Sequence, residues 1–229
     1  MCIRDRSYTK PFFFGTNPAI SLGIPGNTQN QCAPRTYGFV ATFADNSGTL
    51  NSPGTIYTKY TNDGKPDSVF IHPNPAIDLE SDTIFHTFDD ASCGYSTPFY
   101  DNSFLVGVAA TNGCGSSSAE VSPITQSSPP IANMVDMDSI YCIEEPITFS
   151  DSSLGGKYVY GVNTGAGFSY ECDTVDAIAW VFEPDTGFTI LSGSLGTIPL
   201  DYFDSTTYGT TELVVEFHYQ MSYLSLIHI

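Results

Sequence analysis

FLVGVAATNGCGSSSAEVSPI, residues 104–124, decides the fold class. Apolar side chains recur at every second position through Phe104, Val106 and Val108, the period of a strand with one face on a core. Leu105 and Gly107 then fall on the outward face. Asn112-Gly113 is the dipeptide of a two-residue hairpin turn, because both residues tolerate the positive φ that such a turn needs. The chain is predicted to return as a second strand over 119–124.

The rest of the chain repeats this grammar. It carries 14 Tyr and 16 Phe beside 20 Gly and 15 Pro, strand formers punctuated by turn formers. No stretch combines a cap with an apolar period of 3.6, so an all-β fold is predicted. Further strands are expected at 37–44, 56–61, 68–72 and 83–88, then at 146–150, 177–182, 188–191 and 212–219. Asp63-Gly64 supplies another tight turn. No apolar run approaches the ~20 residues that cross a bilayer as a helix, and membrane insertion is not expected.

Seven basic residues face 25 acidic ones, a net charge of -18. Such a polyanion repels phosphate backbones, which excludes nucleic acid as a partner, and it disfavours anionic membrane surfaces.

An internal repeat organises the chain. CAPRTYGFVATFADNS (32–47) and CIEEPITFSDSS (142–153) each place a cysteine five residues before an alternating strand that ends in an Asp/Ser turn. SPITQSSPP (122–130) reads as a linker, since Pro129 and Pro130 cannot donate to a central ladder. The domains are therefore expected at 7–129 and 130–223. The terminal strings MCIRDR (1–6) and LSLIHI (224–229) differ in composition from everything between them. Both resemble translated sequencing-adapter read-through and are expected to lie outside the native chain. Setting Cys2 aside leaves five cysteines, an odd number.

YTKYTNDG (57–64), HTF (86–88) and the alternating strand ending at Asn112-Gly113 together resemble the PKD (polycystic kidney disease) repeat. PPIANM (129–134), ITFSDSS (147–153) and AWVF (179–182) resemble it more loosely. There EPDTG (183–187) replaces the family's Gly-Asp-Gly, and 154–175 is a long insertion. The resemblance implies two tandem immunoglobulin-like β-sandwiches, the second incomplete or degenerate, with Trp180 as a buried aromatic of the second. It also implies a module of large secreted bacterial surface, gliding or adhesion proteins, and a structural place for His86 on the H-x-Y element.

Chemistry-bearing residues are sparse. His72 and His86 lack a second histidine at zinc-ligand spacing. SGSLG (192–196) lacks the first glycine and the helix of a nucleophile elbow. Asp89-Asp90 and Glu144-Glu145 are adjacent acids that point to opposite faces of a strand. Asp136/Asp138 and Asp201/Asp204 read as solvated edge charges. No catalytic, cofactor-binding or metal residue is assigned. Tyr158, Tyr160 and Tyr170 on the insertion are the candidate ligand-loop aromatics, with Phe99 and Tyr100 on a first-copy loop. Cys32, Cys93 and Cys114 in the first copy, and Cys142 and Cys172 in the second, are expected to be structural. Proximity favours Cys93–Cys114 and strand order favours Cys32–Cys93, leaving the pairing open.

These readings describe a non-catalytic extracellular module, at the cell surface, that spaces and adheres. Its expected partners are neighbouring repeats and protein or glycan ligands. An accessory, carbohydrate-binding module of a secreted hydrolase is the alternative.

Overall fold

The computed structural model describes residues 15–24, 26–45, 48–71, 81–137, 140–163, 165, 167–175, 177–183, 187–197, 209–218 and 223–228. Residues 1–6, His72, Asp138, Asp201 and Asp204 lie outside these. Among these residues sixteen strands follow in order: β1 Ser21–Gly23, β2 Gln31–Cys32, β3 Arg35–Thr42, β4 Ile56–Thr61, β5 Ser68–Ile71, β6 Ser81–Phe88, β7 Phe104–Asn112 and β8 Gly115–Ile124. The remainder are β9 Gln126–Ser127, β10 Pro146–Ser150, β11 Gly156–Asn163, β12 Phe168–Val175, β13 Ile178–Glu183, β14 Phe188–Ser192, β15 Glu212–Phe217 and β16 Tyr223–His228. The fold is all-β, with no helix among the described residues. All ten expected strands are present.

The chain divides into two compact units: residues up to 28 with 36–87 and 104–124, and residues 29–35, 88–103 and 125 onward. In the first, a sheet of order β1-β3-β6 faces one of order β5-β4-β7-β8. Ala41 and Phe43 from one side meet Tyr57, Val108 and Ala110 from the other, all fully buried. Phe43 packs 4.6 Å from Tyr57 and 5.6 Å from Phe70. A buried Asn51 satisfies the polar end of this core. Its Nδ2 donates to the Tyr57 hydroxyl (2.8 Å) and to the Ala19 carbonyl (2.6 Å), and its Oδ1 accepts the Ala19 N–H (2.7 Å). The approach segment before β1 is thereby stitched to the sandwich.

The opening hairpin forms, with two corrections. Leu105 and Gly107 lie on the outward face as expected, but they are buried there. β7 is a central strand, flanked by β4 and β8, and its outer face is roofed. Tyr60, Gly107 and Glu120 stand in one cross-strand row. The Tyr60 ring lies across Gly107, where any β-carbon would overlap it, and its hydroxyl donates to Glu120 Oε1 at 2.6 Å. The turn is also displaced by one residue. Asn112 ends β7 opposite Gly115, so the loop is Gly113-Cys114. Asn112 uses its side chain instead, its Oδ1 accepting the Cys114 N–H at 2.8 Å, an Asx-turn in place of a left-handed backbone. Gly64 does take the expected positive φ, at 81°.

In the second unit β13 lies against the sheet β10-β15-β14. Phe149 contacts Trp180 at 5.9 Å and Phe182 at 5.7 Å, with Leu213 and Val215 fully buried beneath. Trp180 is buried as expected, and its indole N–H reaches the Thr210 carbonyl at 2.8 Å. β16 pairs antiparallel with β13.

Two stretches read otherwise from sequence are strand. The expected linker runs through the end of β8 into β9, with Ile124, Thr125 and Gln126 fully buried. Backbone bonds from Gln31 N–H to the Thr125 carbonyl (3.2 Å) and from Ser92 N–H to the Gln126 carbonyl (2.9 Å) explain why a Ser/Thr/Gln run is not solvated. The insertion is the β11–β12 hairpin, eight residues on each strand.

Candidate ligand face

Pairing along β11 and β12 sorts the hairpin into two faces. Val159, Cys172 and Tyr170 share the inner one, where Val159 is 1% and Tyr170 4% exposed. They lie on the segment around Cys93–Ser103. The Tyr170 ring meets Tyr100 edge-on at 6.0 Å, and its carbonyl accepts from Asn102 Nδ2 at 2.9 Å. Cys172 pairs with Cys93 there, Cα to Cα 5.7 Å. Neither pairing weighed from sequence forms, because the partner of Cys93 is brought by the hairpin from 79 residues away. Cys32, Cys114 and Cys142, expected to be structural, carry free, exposed thiols. Cys114 sits in the β7–β8 turn with its thiol on the Gly15 carbonyl, 3.2 Å away.

Tyr158 and Tyr160 share the outer face, opposite Asp173 and Glu171. Their rings are nearly parallel, 17° apart with centroids separated by 5.8 Å. Tyr158 is 40% exposed. The Tyr160 hydroxyl bonds to the carboxylates of Asp173 and Glu171, at 3.1 Å from Glu171 Oε2, and is pushed up to about 12 by these acceptors. It therefore stays a protonated donor across the physiological range. Of the three candidate tyrosines, then, two come together on the surface. Tyr170 is a core residue: the two-residue period that turns Tyr158 and the half-buried Tyr160 outward buries the residue opposite Gly161.

Phe99, 80% exposed, crowns a tight turn. Thr97 N–H donates to the Tyr100 carbonyl at 2.8 Å, and the Thr97 hydroxyl oxygen accepts the Tyr100 N–H at 2.9 Å. Because Tyr100 packs on Tyr170, this turn belongs to the inner side of the hairpin and not to the Tyr158/Tyr160 face.

His86 is buried in the first unit, its Nε2 2.7 Å from Asp63 Oδ2. Asp63 also accepts from the Thr61 hydroxyl (2.5 Å) and the Lys65 N–H (3.2 Å). Lys59 and Lys65 cap carbonyls of β6 nearby, at Phe85 and Thr87. Burial pushes the His86 imidazole below its ordinary range, helped by Lys59 and Lys65 and opposed by Asp63. Burial works to raise Asp63, but its hydrogen bonds outweigh this and hold the carboxyl low. The unfolded chain therefore binds more protons than the folded one at both groups, and stability must fall on acidification. The His86 contribution is whole above about 6.5 and is lost as pH drops through its lowered folded value. The thermal stability of the first unit is expected to fall between neutral and mildly acid pH. Replacement His86→Gln should flatten that slope, and a variant with an unchanged slope would refute the assignment.

Among the described residues no three His, Cys, Asp or Glu side chains converge in a way that could hold a metal. No protein-family model, curated protein or solved structure matches the chain.

Proposed function

We propose that this chain is a non-catalytic, extracellular spacing and adhesion module of PKD-like, immunoglobulin-type sandwiches, and that it contacts its ligand through Tyr158 and Tyr160. The observation that carries the reading is the tyrosine pair itself: two nearly parallel rings turned outward on a hairpin whose inner face is fastened by a disulfide. Rigid scaffolds that present aromatic groups on an exposed element are where binding resides. Strand orders β1-β3-β6 and β5-β4-β7-β8 support the sandwich type, seven strands in two sheets. The disulfide supports an oxidising compartment.

Ring faces stack on the CH faces of sugars, and the flanking Glu171 and Asp173 carboxylates accept from hydroxyl groups. This chemistry equally suits an accessory carbohydrate-binding module of a secreted hydrolase, which a catalytic domain in the same gene would establish. Glycan-array binding by the wild type, lost in Tyr158→Ala/Tyr160→Ala with an unchanged melting temperature, is the expected result. Undiminished binding by the double variant would remove the tyrosines from the role.

A further inference from the structure

Resting on the ligand-contact reading above, we propose that the groove beside Tyr158 is a subsite for one neutral pyranose ring of a glycan. The groove encloses about 350 Å³, near the lower end of the roughly 300–1,000 Å³ range of ligand pockets. That is room for a single small ring. Its apolar lining comes from Pro129, Pro130 and the Tyr158 ring, and its hydrogen-bonding side chains include Asn30, Gln31, Ser127 and Ser128.

The walls are fixed before any ligand arrives. Ser128 and Lys157 exchange two backbone hydrogen bonds, at 2.9 and 3.0 Å. Gly156 packs so closely on Pro130 and the Ser128 carbonyl that an added β-carbon would lie 2.8 Å from both. The Gln31 and Ser127 side chains are also set, and the backbone at Asn30 is held in place. Gln31 Nε2 donates to the Gln29 carbonyl at 2.8 Å, the Asn30 N–H donates to the Thr125 hydroxyl at 3.0 Å, and Ser127 Oγ accepts the Val159 N–H at 3.0 Å, which leaves the Ser127 hydroxyl hydrogen to donate.

Charge selects the occupant. Among the described lining residues the one cationic group, Lys157, stands 4.0 Å from Asp90, and the whole chain carries -18, so an anionic ligand is repelled. Among the described lining residues none carries a carboxylate, so a cation finds no direct ion-pair partner in the groove. A purely apolar ligand would desolvate the Asn30 and Gln31 amides without replacing their hydrogen bonds. A ring with a CH face and several hydroxyls satisfies both the prolines with Tyr158 and the amides.

Cys32 lines this groove with a free thiol, whereas Cys114 and Cys142 are free, exposed and absent from its lining. Site-resolved alkylation with iodoacetamide, read by peptide mass spectrometry, therefore carries its own controls. Neutral oligosaccharides of glucose, galactose, mannose and xylose at millimolar concentration are the probes, with uronic-acid oligosaccharides and a proline-rich peptide as comparators. At least one neutral oligosaccharide should slow Cys32 alkylation several-fold while Cys114 and Cys142 react at their former rates. Tyr158→Ala and, independently, Gln31→Ala should abolish that protection. Protection only by the acidic sugars or only by the peptide overturns the proposal. So does glycan binding that depends on Tyr158 and Tyr160 while Cys32 reacts at its unprotected rate, an outcome that leaves the ligand face standing. Absence of any glycan binding by the wild type removes both.

Discussion

Serine at Cys93 is expected to destabilise the second unit by about 2–5 kcal/mol, the range for a bridge that closes a long loop. The link to Cys172 spans 79 residues and is the only described covalent tie between the β11–β12 hairpin and the segment beneath it. Without it the hairpin keeps the Tyr100–Tyr170 contact, the Asn102 bond to the Tyr170 carbonyl and the Ser128–Lys157 bridge. Urea unfolding of wild type and Cys93→Ser under non-oxidising handling would show the difference, and Cys172→Ser should give the same loss. Adding reductant to the wild type should reproduce it, while leaving the variant unmoved. Equal midpoints for wild type and variant would mean that the disulfide does not constrain this unit.

Trp180→Ala is expected to cost the second unit about 3–5 kcal/mol, the usual range for emptying a large aromatic site in a core. Trp180 is 2% exposed and packs with Phe149 among Ile147, Phe182, Leu213 and Val215. Its indole N–H also satisfies the Thr210 carbonyl, so truncation leaves a hydrogen-bonding group without its partner as well as a cavity. Trp180→Phe should recover part of the packing and none of that bond, placing it between wild type and alanine. Trp180 is the chain's single tryptophan, and its fluorescence reports the second unit alone in the wild type and the cysteine variants. For the tryptophan variants, circular dichroism serves instead. A loss no larger than that of a surface substitution would contradict the burial described for this core.

The strands were readable because most carry a local signal. Tyr37, Phe39 and Ala41 alternate with outward residues, and Ile147 and Phe149 do the same in the second copy; all five are buried. The repeated cysteine-to-strand spacing likewise marked β3 and β10, although Cys32 and Cys142 themselves are free. What escaped reading was non-local. The serines and threonine of 122–128 look like a linker until Gln31 and Ser92 arrive from far away to occupy their backbone groups. Tyr158, Tyr160 and Tyr170 look alike in sequence. Only the register of β11 on β12, together with Tyr100, decides which of them is buried. The Cys93–Cys172 bridge depends on that same register, so no spacing rule could have named it. The groove was illegible for a related reason, since its lining is drawn from segments around residues 30, 128 and 157.

Gly107 beneath Tyr60 has counterparts elsewhere in the chain. Gly161 lies under the Phe168 ring, and at Gly38 an added β-carbon would lie 3.0 Å from both Phe85 and Thr83. At Gly107 and Gly161 a cross-strand ring fills the space that a side chain would have taken, and at Gly38 a ring and a methyl crowd it. The positions are consequently coupled like lock and key during sequence drift. A larger residue at the glycine requires the ring to move off or be trimmed, and trimming the ring first opens a strip of backbone. Related sequences should therefore tend to change these sites two at a time, and a library that varies each pair together should recover more folded variants than one that varies them singly.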